Sequence, residues 1–359
     1  MITINGQNYP VARQASLLAE FRHRYGEKSF EAELADFLNE WYGPEDVLSV
    51  HTSGSTGTPK ELWVEKRRMV NSARLTIAFL GLQSGDSALL CMPLQYIAGK
   101  MVVIRAAVGG LNLLPVAPCG HPLAHLEEIP TFAALIPMQV YNTLQVPAEA
   151  EKLRQVRHLI IGGGAIDAAL AEQLATFPHN VWSTYGMTET LSHIALRRLN
   201  GPDASEWYTP LEGVRLQLSE EATLVIEAPA VSRVPLVTND IAELDDQGRF
   251  RILGRKDNTI NTGGVKVQIE QVEALLHPLL PFPFFISSVP DPKFGERIVL
   301  LAETTAPPSD GFLKTAFAQL PPYWRPRQIF CIDRLPLTGT GKPDRATARA
   351  YCRAASNTC

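Results

Sequence analysis

Cysteine is scarce in this chain and follows no pattern. The five cysteines are odd in number, widely separated and without a C-x-x-C pair, which excludes a zinc ribbon or a disulfide framework as the basis of the fold. No apolar run reaches the roughly 20 residues that a membrane-spanning helix needs. The N-terminus also lacks the basic start and apolar core of a signal peptide. We therefore expect a cytoplasmic protein that does not act at a membrane.

A surplus of basic residues is also missing. The chain has 33 Lys and Arg against 37 Asp and Glu, a formal net charge of −4, which argues against nucleic acid as a partner. No repeat of fixed period is present. A hydrophobic share of 45% and a charged share of 19% are typical of a globular protein. A length of 359 residues suits two domains.

The most unusual segment that is present runs from His51 to Lys60 and has the sequence HTSGSTGTPK. Serine, threonine and glycine offer N–H and O–H donors without bulk, which suits a loop around a polyphosphate. Lys60 follows Pro59 rather than a glycine, so the segment is not the Walker pattern G-x-x-x-x-G-K-[ST]. Taken alone, the same composition also fits an ordinary surface loop.

The order of apolar segments predicts the architecture. From residue 61 to residue 184, short apolar strands alternate with helical patterns, which indicates crossover connections and a largely parallel sheet. From about residue 191, several strands follow one another with little helix between them, which favours an antiparallel, barrel-like region. We expect an α/β fold with a large domain over 1–254 and a small α+β domain over 255–359.

Further polar segments lie at the ends of predicted apolar strands, at the domain boundary and on a loop near the C-terminus. At a strand end, glycine lets a ligand approach the backbone closely. Each also has a plain structural interpretation as a turn, a linker or a solvated lysine. These segments are Gly162–Ala165 (GGGA), Tyr185–Thr190 (YGMTET), Thr238–Asp240 (TND), Gly254–Asp257 (GRKD), Ile260–Gly264 (INTGG) and Leu335–Arg345 (LPLTGTGKPDR).

These segments together resemble, in wording and order, the motifs of the adenylate-forming superfamily of acyl-CoA synthetases, peptide-synthetase adenylation domains and luciferases. The resemblance covers residues 48 to 345. The chain departs from the family at Asn239, where glycine is usual, at Asn261, where lysine is usual, and at Tyr96, where histidine is usual. The phosphate loop also begins near Thr52, unusually early, so the front of the large domain is expected to be shortened.

The resemblance implies a site for Mg·ATP and coenzyme A. Lys342 is implied as the catalytic lysine, acting with Thr188 and Glu189, and Glu189 is also expected to hold Mg²⁺. Asp257 is the implied hinge about which a mobile small domain turns, and Gly263 and Gly264 are expected to line the route of the thiol arm. The implied nucleotide contacts are Thr52, Ser53, Gly54, Ser55, Thr56, Gly57, Lys60, Gly163, Gly164, Ala165, Tyr185, Gly186, Asp240 and Arg255.

Two stretches, from Gln95 to Lys100 and from Gly186 to His193, are similar to the 2-succinylbenzoate–CoA ligases of menaquinone synthesis. That substrate has two carboxylates, and the one that stays intact needs a counter-charge or a donor. The candidate pocket residues are Tyr96, Gly99, Lys100, Arg105, Ser192 and His193. A different aryl or short-chain acid, a carrier protein as the acceptor, a non-catalytic nucleotide-binding role and a homodimer all stay open.

Overall fold

The computed structural model describes residues 1–10, 14–51, 61–164, 166, 168–306, 309–338 and 343–356. Within these ranges no helix is long and apolar enough to cross a bilayer. The described chain divides into two compact units. The first comprises residues 1–216, 226–236 and 245–250, and the second comprises residues 217–225, 237–244 and 251–359.

Helices and strands alternate over the first half of the chain. The helices are α1 (Gln14–Tyr25), α2 (Phe30–Tyr42), α3 (Lys66–Leu80), α4 (Ile97–Gly109), α5 (Pro137–Leu144), α6 (Pro147–Gln155), α7 (Ala168–Ala175), α8 (Ile269–Leu276), α9 (Asp310–Ala318) and α10 (Arg345–Ser356).

The strands as far as residue 210 are β1 (Ile2–Ile4), β2 (Gln7–Tyr9), β3 (Val47–His51), β4 (Glu61–Glu65), β5 (Ser87–Leu90), β6 (Asn112–Pro115), β7 (Phe132–Leu135), β8 (His158–Ile161), β9 (Asn180–Gly186), β10 (His193–Arg198) and β11 (Thr209–Pro210). The later strands are β12 (Arg215–Leu218), β13 (Thr223–Glu227), β14 (Leu236–Leu244), β15 (Phe250–Arg255), β16 (Thr259–Thr262), β17 (Val265–Gln268), β18 (Phe284–Asp291), β19 (Gly295–Glu303) and β20 (Gln328–Ile332).

The first unit is built on a nine-stranded sheet in the order β11-β10-β9-β8-β7-β5-β6-β1-β2. Strands β1 and β5 to β9 run parallel, whereas β2, β10 and β11 are antiparallel additions at the two edges. Strands β5 and β7 are buried along their whole length, as expected where helices cover both faces of a parallel sheet. The predicted α/β fold with a large, mostly parallel sheet is confirmed.

The strand order reverses beside β5, and this reversal positions the site. The chain passes from β5 to its neighbour β6 and then crosses to β7 on the other side of β5. The helices that follow β5 and β7 therefore leave toward opposite faces, and α/β proteins bind ligands outside the carboxyl ends of the strands at such a reversal. α4 lies on one side and packs against β5, β6 and α3. The opposite face is filled by a core that α5, α6 and α7 complete.

Local sequence signals set the helix ends. The Ser29 hydroxyl accepts a hydrogen bond from the backbone N–H of Ala32 at 3.1 Å and so caps the start of α2. Gly81 ends α3 with a φ of 69°, a left-handed conformation that glycine adopts without steric cost. Apolar residues at helical spacing from Met69 to Leu80, followed by Gly81, predict this helix end from the sequence.

The second unit contains a five-stranded sheet in the order β17-β16-β19-β18, with β20 paired in parallel to β19. Side chains alternate across it. Ile286 and Leu300 face a core with α8 and α9, whereas Phe285 and Leu301 face a second core that α10 covers. The apolar patterns of the sequence predict helices over 269–276, 310–320 and 346–355 and strands over 284–289, 297–303 and 328–332. Each agrees with the structure to within a few residues, because period-two burial makes such strands recognisable.

One detail of the predicted barrel-like region differs. β10 and β11 do not belong to a separate sheet, because β10 pairs antiparallel with β9 and extends the large sheet at its edge. Strands β12, β13, β14 and β15 form a four-stranded sheet of their own. A short turn after β9 returns the chain directly alongside that strand, and pairing with the open edge satisfies the backbone of β10.

Candidate active site

The glycine-rich segment after β8 lies at the carboxyl edge of the large sheet. Gly162 donates its N–H to the carbonyl of Leu135 at 3.0 Å. A Cβ atom on Gly162 would lie 2.4 Å from the Thr184 hydroxyl on β9. Gly163 has a φ of 80°. This segment therefore needs glycine, and it leaves bare backbone beside the predicted nucleotide contact Gly164.

The segment after β9 turns back sharply at Gly186. A Cβ atom there would lie 2.3 Å from the Ser192 carbonyl oxygen and 2.5 Å from the His193 Cα, so only glycine allows this close approach. Leu191 is buried with a φ of 65°, a conformation that is costly for a bulky residue and clusters at functional sites. The turn presents Thr188 half-buried and Glu189 exposed.

Tyr185 belongs to a cluster of three aromatic rings. Its centroid lies 5.0 Å from that of Phe250 and 6.0 Å from that of Tyr208. Tyr208 stacks on Phe250 at 5.3 Å, and its hydroxyl is 2.9 Å from the Ser183 hydroxyl. These contacts hold Tyr185, itself half-buried, at the same edge as the glycine segment. Tyr185 is a predicted nucleotide contact, and an aromatic face held in this way could stack on a purine.

A buried polar network lies under this turn. Arg105 of α4 is 2% exposed, and its guanidinium donates to the Ser192 hydroxyl at 2.5 Å. The Nδ1 of His193 is 3.4 Å from the same hydroxyl, and its Nε2 is 3.0 Å from the Thr76 hydroxyl of α3. The Nε of Arg105 has no hydrogen-bond partner among the described residues. Three of the predicted substrate residues, Arg105, Ser192 and His193, are thus brought together.

Burial lowers the pKa values of two residues in this network, Arg105 and His193. Burial lowers the pKa of Arg105 to about 10, so the guanidinium stays charged at neutral pH. Burial and the nearby Arg105 charge hold the pKa of His193 well below its usual 6.5. Among the described residues no carboxylate lies within ion-pair distance of Arg105. The network therefore carries a positive charge that a bound anion would compensate.

Lys100 and its neighbours on α4 have other partners. The Lys100 ammonium is 3.6 Å from the Glu40 carboxylate and 4.9 Å from the Phe37 ring, both on α2. Gly99 allows α4 to begin close to the preceding loop, because a Cβ atom there would lie 2.5 Å from the Pro93 carbonyl oxygen. Tyr96 is half-buried at the start of the helix. The roles of Lys100, Gly99 and Tyr96 in substrate binding stay predictions.

The predicted nucleotide contacts Asp240 and Arg255 and the predicted hinge Asp257 form a second cluster, within the second unit. Arg255 donates to Asp240 at 3.2 Å and to Asp257 at 3.0 Å. Asn239, which replaces the usual glycine, donates its side-chain amide to the same Asp257 oxygen at 3.2 Å. The structure therefore brings together residues of two motifs that are separate in the sequence, Thr238–Asp240 and Gly254–Asp257. It also shows that Asn239 contacts the proposed hinge.

The paired glycines Gly263 and Gly264 form the two-residue turn of the β16–β17 hairpin. Both have positive φ, 60° and 83°, as a tight hairpin turn requires. Next to Gly263 lies a surface concavity that the sequence had not revealed. Its lining has no acidic side chain and consists of Thr262, Phe294, Arg297, Ile298, Tyr323, Arg325 and Arg327. These residues come from separate strands and loops, and no motif connects them.

Some predicted residues lie outside the described ranges. They are Thr52, Ser53, Gly54, Ser55, Thr56, Gly57, Lys60, Ala165 and Lys342. The flanks of the predicted phosphate loop are described, and they pair as His51 with Glu61 at the end of the β3–β4 hairpin. In the part of the chain that the structure describes, no three His, Cys, Asp or Glu side chains form a metal cluster.

The comparisons with known proteins agree with this architecture. The profile of the "AMP-binding enzyme" family matches residues 10–229. A probable 2-succinylbenzoate–CoA ligase of Mycobacterium tuberculosis is 29% identical over 330 residues, which cover 84% of this chain and 83% of that protein.

Solved structures show the same fold. The acyl-CoA synthetase (AMP-forming)/AMP-acid ligase II-like protein of Dyadobacter fermentans is 33% identical with a TM-score of 0.62, and the match covers 89% of this chain and 93% of the other. The O-succinylbenzoate coenzyme A synthetase (MenE) of Bacillus subtilis, solved with ATP and magnesium ion, is 20% identical with a TM-score of 0.71. That match covers 93% of this chain and 81% of the other.

A family profile over more than half of the chain, together with a relative of 33% identity, agrees with the strand-end geometry described above. The prediction of an AMP-forming acid–CoA ligase is confirmed, and this chain belongs to the family of AMP-binding enzymes.

Proposed function

We propose that the enzyme joins 2-succinylbenzoate to coenzyme A through an acyl-adenylate. The observation that carries the proposal is the buried, charged Arg105 behind the Ser192 hydroxyl at the carboxyl edge of the sheet. Burying a cation without a carboxylate is costly, so the arrangement is best explained by an anionic ligand. 2-Succinylbenzoate supplies one carboxylate for activation and keeps a second one for this charge.

The second carboxylate would bind at Ser192, which is half-buried, with Arg105 behind it. A hydroxyl donor backed by a buried cation is a strong site for a carboxylate, because the low dielectric of the interior lets the charge act over several ångströms. His193, neutral at physiological pH, fixes the Ser192 side chain from the other side without adding a competing charge.

In the first half-reaction, an oxygen of the succinyl carboxylate attacks the α-phosphorus of ATP, and pyrophosphate leaves. Catalysis consists of positioning and charge stabilisation. The segment 52–60 would hold the leaving phosphates, and Lys342 would bridge the carboxylate and the α-phosphate. Tyr185 would stack on the adenine, and Glu189 would hold Mg²⁺. A single exposed carboxylate fits that role, because Mg²⁺ takes most of its other ligands from water and substrate phosphates.

In the second half-reaction, the thiol of coenzyme A loses its proton and attacks the acyl carbon, and AMP leaves. The concavity beside Gly263 supports coenzyme A as the acceptor. Its arginines suit the phosphates of the coenzyme, and the exposed ring of Tyr323 suits its adenine. The glycine hairpin next to it suits the thiol arm that the sequence had assigned there. Asp257 is the proposed hinge for the change from the first half-reaction to the second.

Mass spectrometry of the products tests the proposal. The enzyme is incubated with Mg·ATP, coenzyme A and one acid at a time: 2-succinylbenzoate, 4-oxo-4-phenylbutanoate, benzoate, succinate or a fatty acid. 4-Oxo-4-phenylbutanoate is the matched control, since it lacks only the aryl carboxylate. We expect the coenzyme A thioester to form from 2-succinylbenzoate in strong preference to this control.

The other outcomes identify the alternatives. Equal use of 2-succinylbenzoate and 4-oxo-4-phenylbutanoate would show that Arg105 does not recognise the aryl carboxylate. The substrate would then be a different aryl acid. An acyl-adenylate without a thioester would indicate a carrier protein as the acceptor. No product from any acid, together with ATP binding, would indicate a nucleotide-binding relative without this activity.

A further inference from the structure

An ion pair in the second unit links the start of α10 to α8. Arg345, the first residue of α10, donates to both carboxylate oxygens of Glu273, at 2.5 Å and 2.6 Å. The guanidinium also lies 5.1 Å from the centre of the Phe285 ring. Glu273 in turn accepts the backbone N–H of Ile286 at 2.8 Å. Both charged side chains are largely buried, so this two-point contact fixes position and orientation.

The ion pair between Arg345 and Glu273 lies close to the predicted catalytic lysine in the chain. Arg345 follows Lys342 by three residues. The described residues on either side of 339–342 are joined, because Leu337 forms an antiparallel bridge with Pro343. Asp344 donates its backbone N–H to the carbonyl of Pro336 at 3.0 Å. The two ends of the segment that carries Lys342 are therefore held together, and Arg345 ties them to α8 and β18.

We propose that Arg345, held by Glu273, is a positioning residue that fixes the base of the Lys342 segment for the adenylation step. The inference depends on the proposed function in one respect, which is that Lys342 acts in adenylation. A lysine ammonium is a point charge on a flexible stem, so its precision depends on the backbone that carries it. The thioester step does not use Lys342 and should not depend on this pair.

The test measures the two half-reactions separately in Arg345→Lys, which keeps the charge but loses the two-point contact. Adenylation is followed by ATP–pyrophosphate exchange, and thioester formation is followed from preformed acyl-adenylate and coenzyme A. We expect the adenylation kcat to fall by about 10- to 100-fold, the usual effect of a small misplacement of a catalytic group. We expect thioester formation to change by less than about twofold.

Glu273→Gln should reproduce this pattern, and the double variant should be little worse than either single variant, because both act through one contact. Arg349→Lys is the matched control. It weakens another Arg–Glu pair on α10, with Glu296, farther along the helix from Lys342. We expect this control to change both half-reactions to a similar, small extent. Thermal unfolding of all variants checks that they are folded at the assay temperature.

Lys342→Ala separates failure of this inference from failure of the proposed function. If Lys342→Ala keeps adenylation, the proposed role of Lys342 is wrong and the positioning role is overturned with it. If Lys342→Ala loses only adenylation but Arg345→Lys loses both half-reactions equally, or neither, the mechanism stands and the positioning role is overturned. Selective loss in both variants, with the Arg349→Lys control unselective, supports the inference.

Discussion

Replacing Arg105 by methionine should make the protein more stable and less selective. Burial lowers the pKa of Arg105 from the ordinary value of a guanidinium to about 10. Because the folded-state pKa is depressed, keeping the guanidinium charged costs stability at every pH below about 10, and the cost disappears only as the pH rises to the ordinary pKa of arginine. At 1.36 kcal/mol per pKa unit, this cost is about 3 kcal/mol at neutral pH.

Methionine fills a similar volume without a charge. The variant loses the hydrogen bond to Ser192, which offsets part of the gain. We expect the free energy of unfolding to rise by about 1–3 kcal/mol, as when buried charges elsewhere are replaced by apolar side chains. Arg105→Lys, which keeps a buried charge, is the control and should not stabilise the protein.

The same change should weaken selection for a second carboxylate. A cation about 5 Å from a carboxylate contributes about 3 kcal/mol at an effective dielectric constant of about 20. Removing it should lower kcat/KM for 2-succinylbenzoate by about 30- to 150-fold. The value for 4-oxo-4-phenylbutanoate, which lacks the aryl carboxylate, should stay within a few-fold of the original.

The assay is a cycle of two proteins and two acids, with kcat/KM measured for each pair, beside thermal or urea unfolding of both proteins. The ratio of the four rate constants isolates the interaction between Arg105 and the aryl carboxylate. A destabilised Arg105→Met variant that loses activity equally toward both acids would refute the reasoning. Arg105 would then have a structural role, balanced by groups within the protein.

Three other variants test separate parts of the site. Gly186→Ala places a methyl group 2.3 Å from a backbone oxygen and should lower the free energy of unfolding by about 1–3 kcal/mol. The control is Gly311→Ala in α9, where a Cβ atom meets nothing within 4 Å, and it should be neutral or stabilising. An equal effect at both glycines would contradict the close approach at Gly186. His193 stays neutral in the folded protein, but in the unfolded chain it is protonated as the pH falls below about 6.5. The free energy of unfolding, measured with urea, should therefore fall between pH 7 and pH 5, and it should fall less in His193→Gln. An equal pH dependence in both proteins would argue against a buried neutral imidazole. Arg327→Gln should raise the KM for coenzyme A by about 3- to 10-fold, as for an exposed charge-assisted contact, and should leave the KM for ATP unchanged. The control is Arg353→Gln on α10, which removes an exposed positive charge elsewhere and should change neither value.

Much of the fold could be predicted from the chain itself. Apolar residues at period-two and helical spacing predicted the strands and helices of residues 269–355 to within a few residues. The glycines at 162, 163, 186, 263 and 264 occupy positions where a side chain would clash or where φ is positive. Such constraints are local, so the sequence expresses them directly as residue types at strand ends. The order of these motifs was enough to identify the enzyme class.

The tertiary structure decided which of the charged candidates meet. Lys100 and Arg105 lie on the same helix, but five positions on an α-helix separate two side chains by about 140°, so they cannot share one face. Packing turned Lys100 toward Glu40 and Arg105 toward Ser192, 87 positions away in the chain. Sequence patterning alone could not distinguish them, because both are basic residues in an apolar helix.

The concavity beside Gly263 and the contact between Asn239 and Asp257 have the same origin. Arg297 and Arg327 lie 30 positions apart with no motif between them, and they approach only because the strands and loops of the second unit bring them to one surface. Asn239 could be recognised as a departure from the family, but not as a partner of Asp257 until β14 and β15 had been placed. The sequence determined the kinds of residue at each strand end and hence the chemistry. Long-range packing decided their neighbours, because contacts between distant segments depend on how whole elements fill space.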